Sequence, residues 1–105
     1  MGSQIEFIEE IPPYKMGVKI SQVENLRLKA PITLPIEKTE KYFIVKYDRW
    51  GIYLFVEKVE DLKKELVEYI QMLWKEYAMA PNHTLTKDAL YVKQALNLDW
   101  EVIKE

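Results

Sequence analysis

The stretch Tyr42-Phe43-Ile44-Val45-Lys46-Tyr47-Asp48-Arg49-Trp50-Gly51-Ile52-Tyr53-Leu54-Phe55-Val56 holds two short apolar strands, 42–47 and 52–56, around the connector Asp48-Arg49-Trp50-Gly51. Side chains alternate between the faces of a strand, so Tyr53 and Phe55 oppose Ile52, Leu54 and Val56. A strand that is apolar front and back predicts a place inside a sheet, with something covering each face. Directly after it, residues 59–77 put Val59, Leu62, Leu66, Tyr69, Ile70, Leu73 and Tyr77 on one side of a helix, at the spacing of a helix packed on a sheet. That helix covers one face. The other cover is expected from the N-terminal segment or from a second copy of the chain, and Val67 and Trp74, which widen the apolar stripe, point the same way. An apolar face left over marks an interface, so a homodimer is expected.

Working outward, Glu60 and Asp61 suit the positive end of the helix, and Glu60–Lys64 and Gln71–Lys75 stand at i, i+4 on its outer side. Ala80-Pro81-Asn82-His83 breaks it. Thr86 is the expected N-cap of a short second helix, with Leu85 and Leu90 as a hydrophobic staple and Asn97 as a left-handed C-cap. Residues 99–103 form either a last strand or a tail tucked against that helix. On the other side of the hairpin, residues 4–11 alternate loosely as an edge strand that Pro12-Pro13 ends, because proline removes ladder donors. Two further strands are predicted over 15–20 and 26–30. Ile32-Thr33-Leu34, bracketed by Pro31 and Pro35, fits only an edge or a bulge. Residues 37–41 form a charged turn. Met1-Gly2-Ser3 reads in part as an expression remnant and is set aside. The fold class is therefore α+β: a small, mainly antiparallel sheet packed against one long helix, with a short C-terminal helix, in a single domain over 1–105.

Composition limits the function. The 15 Lys plus Arg nearly balance 17 Asp plus Glu, and a net charge of -2 offers no whole-molecule attraction to phosphate backbones. The most basic window, 15–29, sets Lys15, Lys19, Arg27 and Lys29 against Glu24, a weak excess. With no cysteine, disulfides, thiol chemistry and Cys-ligated metals are excluded. No apolar run reaches the roughly 18 residues of a membrane span, which gives a cytoplasmic protein without membrane contact as the expectation. Scarce Asn and Gln beside many Lys and Glu suit a thermophile.

No catalytic signature emerges, and a non-enzymatic protein without cofactor or metal is expected. His83, the one histidine, lies in a loop without HxxxH, HxE or DxD spacing and reads as exposed. Glu57, Glu60 and Asp61 offer carboxylates to a cation, but the interleaved Lys58, Lys63 and Lys64 make a solvated helix face. Three glycines form no phosphate-binding loop. The aromatic group Tyr42, Phe43, Tyr47, Trp50, Tyr53 and Phe55 reads as core or interface packing; the alternative is a platform on which nucleic-acid bases stack. A ribbon-helix-helix arrangement, with strand 52–56 ahead of two helices, would read DNA with polar side chains that this strand lacks. Trp50 beside Arg49 at a hairpin tip has the composition of an exposed binding hot spot.

The run 42–52, followed by Val56-Glu57-Lys58-Val59-Glu60-Asp61-Leu62-Lys63-Lys64-Glu65-Leu66, resembles the HicB-type antitoxin domain. Trp50-Gly51 stands where that family has Pro-Gly, and Val59-Glu60-Asp61-Leu62 stands where its helix opens; Glu57-Lys58 replaces its glycine-containing entry. Leu85-Thr86-Lys87-Asp88-Ala89 is similar to the ending of small archaeal proteins of this type. The resemblance implies a small α+β domain that binds and masks a toxin cleaving messenger RNA. Many members add a DNA-binding segment, and no C-terminal helix-turn-helix is recognisable here. Arg49, Trp50, Glu57, Glu60 and Asp61 are the expected partner-contact residues, the carboxylates steering a small basic toxin. The alternative is a small nucleic-acid-binding protein that uses the aromatic hairpin.

Overall fold

The computed structural model describes residues 2–11 and 14–103; the Pro12-Pro13 break lies outside them. The fold is α+β, as the residue pattern implies, but it holds two antiparallel sheets rather than one. The first orders its strands β1 (Gln4–Ile11), β2 (Tyr14–Val23), β3 (Leu26–Pro35) and β7 (Trp100–Val102). The second is β4 (Glu37–Lys38), β5 (Phe43–Tyr47) and β6 (Ile52–Val56). The long helix α1 (Leu62–Leu73) follows a 3₁₀ turn at Val59–Asp61 and ends in one wider π turn, Trp74–Ala78, closed by Met79 N–H donating to the Trp74 carbonyl at 3.0 Å. The second helix, α2 (Lys87–Asp99), leads straight into β7.

Leu62, Leu66, Ile70 and Leu73 are buried, so the 3.6-residue stripe of α1 does face the core. Its second apolar flank meets the chain's own first sheet. Val67 lines a recess with Ile5, and the Lys63 ammonium lies 5.4 Å from the Phe7 ring centroid. Ile5, Val18, Ile20 and Val23 of the first sheet, Val45, Ile52, Leu54 and Val56 of the second, and Leu96 and Trp100 share one buried cluster with α1.

Strand β3 shows why the proline pair is tolerated. Ile20 pairs with Ile32, yet Gln22 pairs with Arg27, so the four residues 28–31 bulge opposite Ser21 alone. Pro31 sits in that bulge, and β7 pairs only with Leu26, Arg27 and Leu28, so neither proline is asked for a donor on that side. The expected strand at 26–30 and the extended piece 32–34 are thus one bulged strand. Asp99–Ile103 takes the strand alternative: β7 pairs with β3, Arg27 forks onto its register partner Glu101 at 2.7 and 2.9 Å, and Ile103 N–H donates to the Asn25 carbonyl at 2.8 Å.

Two expectations are corrected. Strand β6 is not central: it is an edge strand, and the N-terminal segment builds the other sheet instead of covering it. Asn97 does not end α2 in a left-handed turn. It stays helical and its amide donates to the carbonyls of Lys93 (2.9 Å) and Ala78 (3.3 Å). The helix runs two residues further, to Asp99, whose carboxylate accepts from Arg49 and Trp50 of the hairpin. The Thr86 cap is present, its hydroxyl accepting from Ala89 N–H at 3.2 Å.

Glu24, in the two-residue β2–β3 turn, has φ +52°, a left-handed conformation that costs a side-chain-bearing residue about 1 kcal/mol. The set-aside Ser3 holds it there by accepting from Glu24 N–H at 3.0 Å. Gly51, which closes the β5–β6 connector, has φ +70°, and an added Cβ would meet Val92 at an ordinary 3.4 Å. The two positions are expected to respond with opposite signs. Glu24→Gly should raise the unfolding free energy by roughly 0.5 kcal/mol, and Gly51→Ala should lower it by about 1 kcal/mol, both read by urea denaturation.

Candidate functional site

Hairpin β5–β6 is a five-residue ladder from Phe43↔Val56 to Tyr47↔Ile52. Period two sends Val45, Ile52, Leu54 and Val56 inward, where they are buried. It sends Lys46, Tyr53 and Phe55 outward, where no element of the described residues covers them: Tyr53 is 53% and Phe55 54% exposed. Tyr42 packs edge-on against Phe55 at 5.3 Å, and Ile44 is the register partner of Phe55. Lys46 stands over the Tyr53 ring at 5.6 Å and Lys41 over the Tyr42 ring at 5.4 Å. The result is an aromatic face with ammonium groups at its margins, on a strand whose far edge has no strand partner among the described residues.

The hairpin tip is built differently from its sequence-based reading. Trp50 is buried, at 1% exposure, and is not an exposed hot spot. The 3₁₀ turn Asp48–Trp50 rolls the indole under the hairpin. There it meets Tyr47 edge-on at 4.7 Å and Trp100 at 5.2 Å, and its N–H donates to Asp99 Oδ2 at 2.8 Å. Arg49 forks onto the same carboxylate, Nε to Oδ2 at 2.6 Å and Nη2 to Oδ1 at 3.0 Å. Arg49 and Trp50 therefore converge on Asp99 and tie the hairpin to the end of α2. Asp99 escaped the sequence reading. The signal was a carboxylate in the last turn of a helix, where the dipole disfavours it unless a cation answers it.

The hydrogen bond from Arg49 holds the Asp99 carboxyl below its usual range, against the opposing effect of partial burial and with help from the Trp50 N–H. A carboxylate depressed in the folded state stabilises the fold above its unfolded pKa of about 3.9 and loses that contribution as pH falls through the folded value. The stability gap between the wild type and Asp99→Asn is expected to be present at neutral pH and to narrow on acidification below about pH 4. Urea denaturation at both ends of that range measures it.

The other expected contact residues lie at the opposite end of β6, about 20 Å along an extended strand from the tip. Glu57, Glu60 and Asp61 are all exposed, and Glu57 approaches Lys41 at 4.0 Å. His83 is exposed in the 3₁₀ turn Asn82–Thr84. Strand β6, paired within its own chain and presenting Tyr53 and Phe55, does not have the polar outward face of a ribbon-helix-helix reader. Among the described residues no three His, Asp or Glu side chains gather as a metal site, and no helix is long and apolar enough to cross a membrane.

A cavity of about 260 Å³ lies behind the hairpin tip, between α1 and the start of α2. Tyr69 bridges its rim, its hydroxyl donating to the Gly51 carbonyl at 3.1 Å and accepting from Tyr53 N–H at 3.4 Å. No family model matches the chain, and neither a curated protein nor a solved structure matches it.

Proposed function

We propose that this protein is a non-enzymatic protein-binding module whose contact surface is the outer face of the β5–β6 hairpin. The observation that carries the reading is the pair Tyr53 and Phe55, each more than half exposed on an edge strand and backed by Tyr42 and Ile44. Large aromatics in water on an unpartnered edge suit a second polypeptide, which adds area against the rings and hydrogen bonds along the strand. The resemblance to HicB-type domains supplies the partner class: a small basic ribonuclease, masked by the hairpin and steered by the exposed Glu57, Glu60 and Asp61. A second copy of the chain is the other occupant that this face suits. Co-expression with neighbouring genes, followed by affinity purification and light scattering, tests both. A co-purifying, growth-inhibitory basic protein or a dimeric mass supports the module; a monomer that retains nothing refutes it.

One observation favours a second reading. Lys46 over Tyr53 and Lys41 over Tyr42 interleave ammonium groups with rings on the same face, as in surfaces that stack single-stranded bases. Gel shifts at low and moderate salt separate the two, because phosphate-driven binding falls steeply with salt.

A further inference from the structure

The cavity behind the hairpin tip has a chemistry of its own. Trp50, only 1% exposed, lies beneath its lining, and the indole is held by Asp99, Tyr47 and Trp100. Tyr69 forms one wall, pinned through its hydroxyl to Gly51. Tyr77, Met72, Leu73, Ala89 and Val92 also line it. Among the described residues Asp88 is the one formal charge that lines it, and Asp88 is exposed. An adjoining recess shares Asp88 and Val92 and is lined also by Asp48 and Arg49. The nearest guanidinium there, Arg49, is already neutralised by Asp99. Lys93, which also projects from α2, is turned away to the Ala80 carbonyl and Asn82 Oδ1, both at 2.6 Å.

Two tyrosine side chains beside a mainly apolar space, with the exposed Asp88 in its lining and no free cation among the described lining groups, match the recognition of an organic cation. The rings attract the positive group through their quadrupoles, and the apolar walls accept its alkyl stem. We propose that this cavity binds a guanidinium or alkylammonium group, the end of an arginine or lysine side chain presented by a basic polypeptide partner. The partner rests on the protein-binding reading above; the cation site itself does not. The connection between them is Tyr69, which bonds both Gly51 at the cavity and Tyr53 at the start of the exposed strand.

The test is titration of the isotope-labelled protein with butylguanidinium, with 1-butanol as the neutral counterpart, following the Trp50 indole N–H resonance. Butylguanidinium is expected to saturate at about millimolar affinity, as a ligand with so few heavy atoms allows. Asp88→Asn, an exposed change that leaves the core untouched, should weaken it about five-fold by removing a nearby charge. Tyr77→Leu should weaken it further by removing a ring while keeping bulk. Equal binding of 1-butanol would show a merely apolar cavity and overturn the proposal, as would the absence of saturable shifts. Replacing Tyr53 and Phe55 by threonine should leave butylguanidinium binding unchanged, so failure of the exposed face as a partner surface and failure of this site read differently. An arginine-containing basic peptide that binds more tightly than butylguanidinium, through the same Asp88 dependence, identifies the polypeptide source. A free cation that outcompetes every such peptide refutes that part.

Discussion

Trp50→Ala is expected to lower the unfolding free energy by about 3–5 kcal/mol, the range for truncating a fully buried large aromatic. Against a total of roughly 5–15 kcal/mol for a domain of this size, much of the population would unfold at moderate temperature. Three losses combine in the one change. The apolar volume between Tyr47 and Trp100 empties, the edge-on contact with Tyr47 at 4.7 Å disappears, and Asp99 loses a donor while Arg49 alone remains on it. Trp50→Phe separates them: it keeps a ring and removes the N–H, and should cost roughly 1–2 kcal/mol. Trp100→Phe makes the informative contrast. The Trp100 N–H is buried without a hydrogen-bond partner among the described residues, so that substitution deletes none of the described bonds and should cost less than Trp50→Phe. Denaturant unfolding of the three variants ranks them. A Trp50→Ala protein as stable as wild type would contradict the buried position.

The second large effect is on association. Tyr53→Thr combined with Phe55→Thr is expected to weaken the hairpin's affinity for its protein partner, or for a second copy, by about 30-fold or more, the loss that accompanies removal of aromatic anchors. Folding stability should move by less than about 1 kcal/mol, because both rings are more than half exposed and threonine suits a strand. The backbone bond from Tyr53 N–H to Tyr69 is untouched by the substitution. Light scattering and retention of the co-purified partner measure the first outcome, and denaturation measures the second. Unchanged association would move the contact surface elsewhere on the molecule.

The two tyrosines and two phenylalanines of the hairpin show how far residue pattern reaches. Period two separated Ile52, Leu54 and Val56 from Tyr53 and Phe55 correctly, and the 3.6-residue stripe of α1 put Leu62, Leu66, Ile70 and Leu73 in the core. What pattern does not encode is which apolar face finds a neighbour. An aromatic strand face reads alike whether a sheet covers it or water does, so β6 was expected at the centre and lies at an edge. Trp50 failed for a related reason. Its flanking Arg49 and Gly51 signal a tip, but the partner that draws it inward, Asp99, is 49 residues away in sequence. The cavity is equally nonlocal, since Trp50, Tyr69, Tyr77 and Asp88 come together only when α2 folds back over α1. The bulge at Pro31 was legible because proline restricts its own residue and needs no distant partner.

The pairing of β7 with β3 has a kinetic side. Strands β1, β2 and β3 pair with their neighbours in sequence and can assemble on the microsecond scale of hairpins. Arg27 and Glu101, by contrast, are 74 residues apart, and closing so wide a loop is entropically late. Sequence separation therefore sets the Arg27–Glu101 fork at the seam between the one strand that returns from the far end of the chain and a ladder built from local contacts.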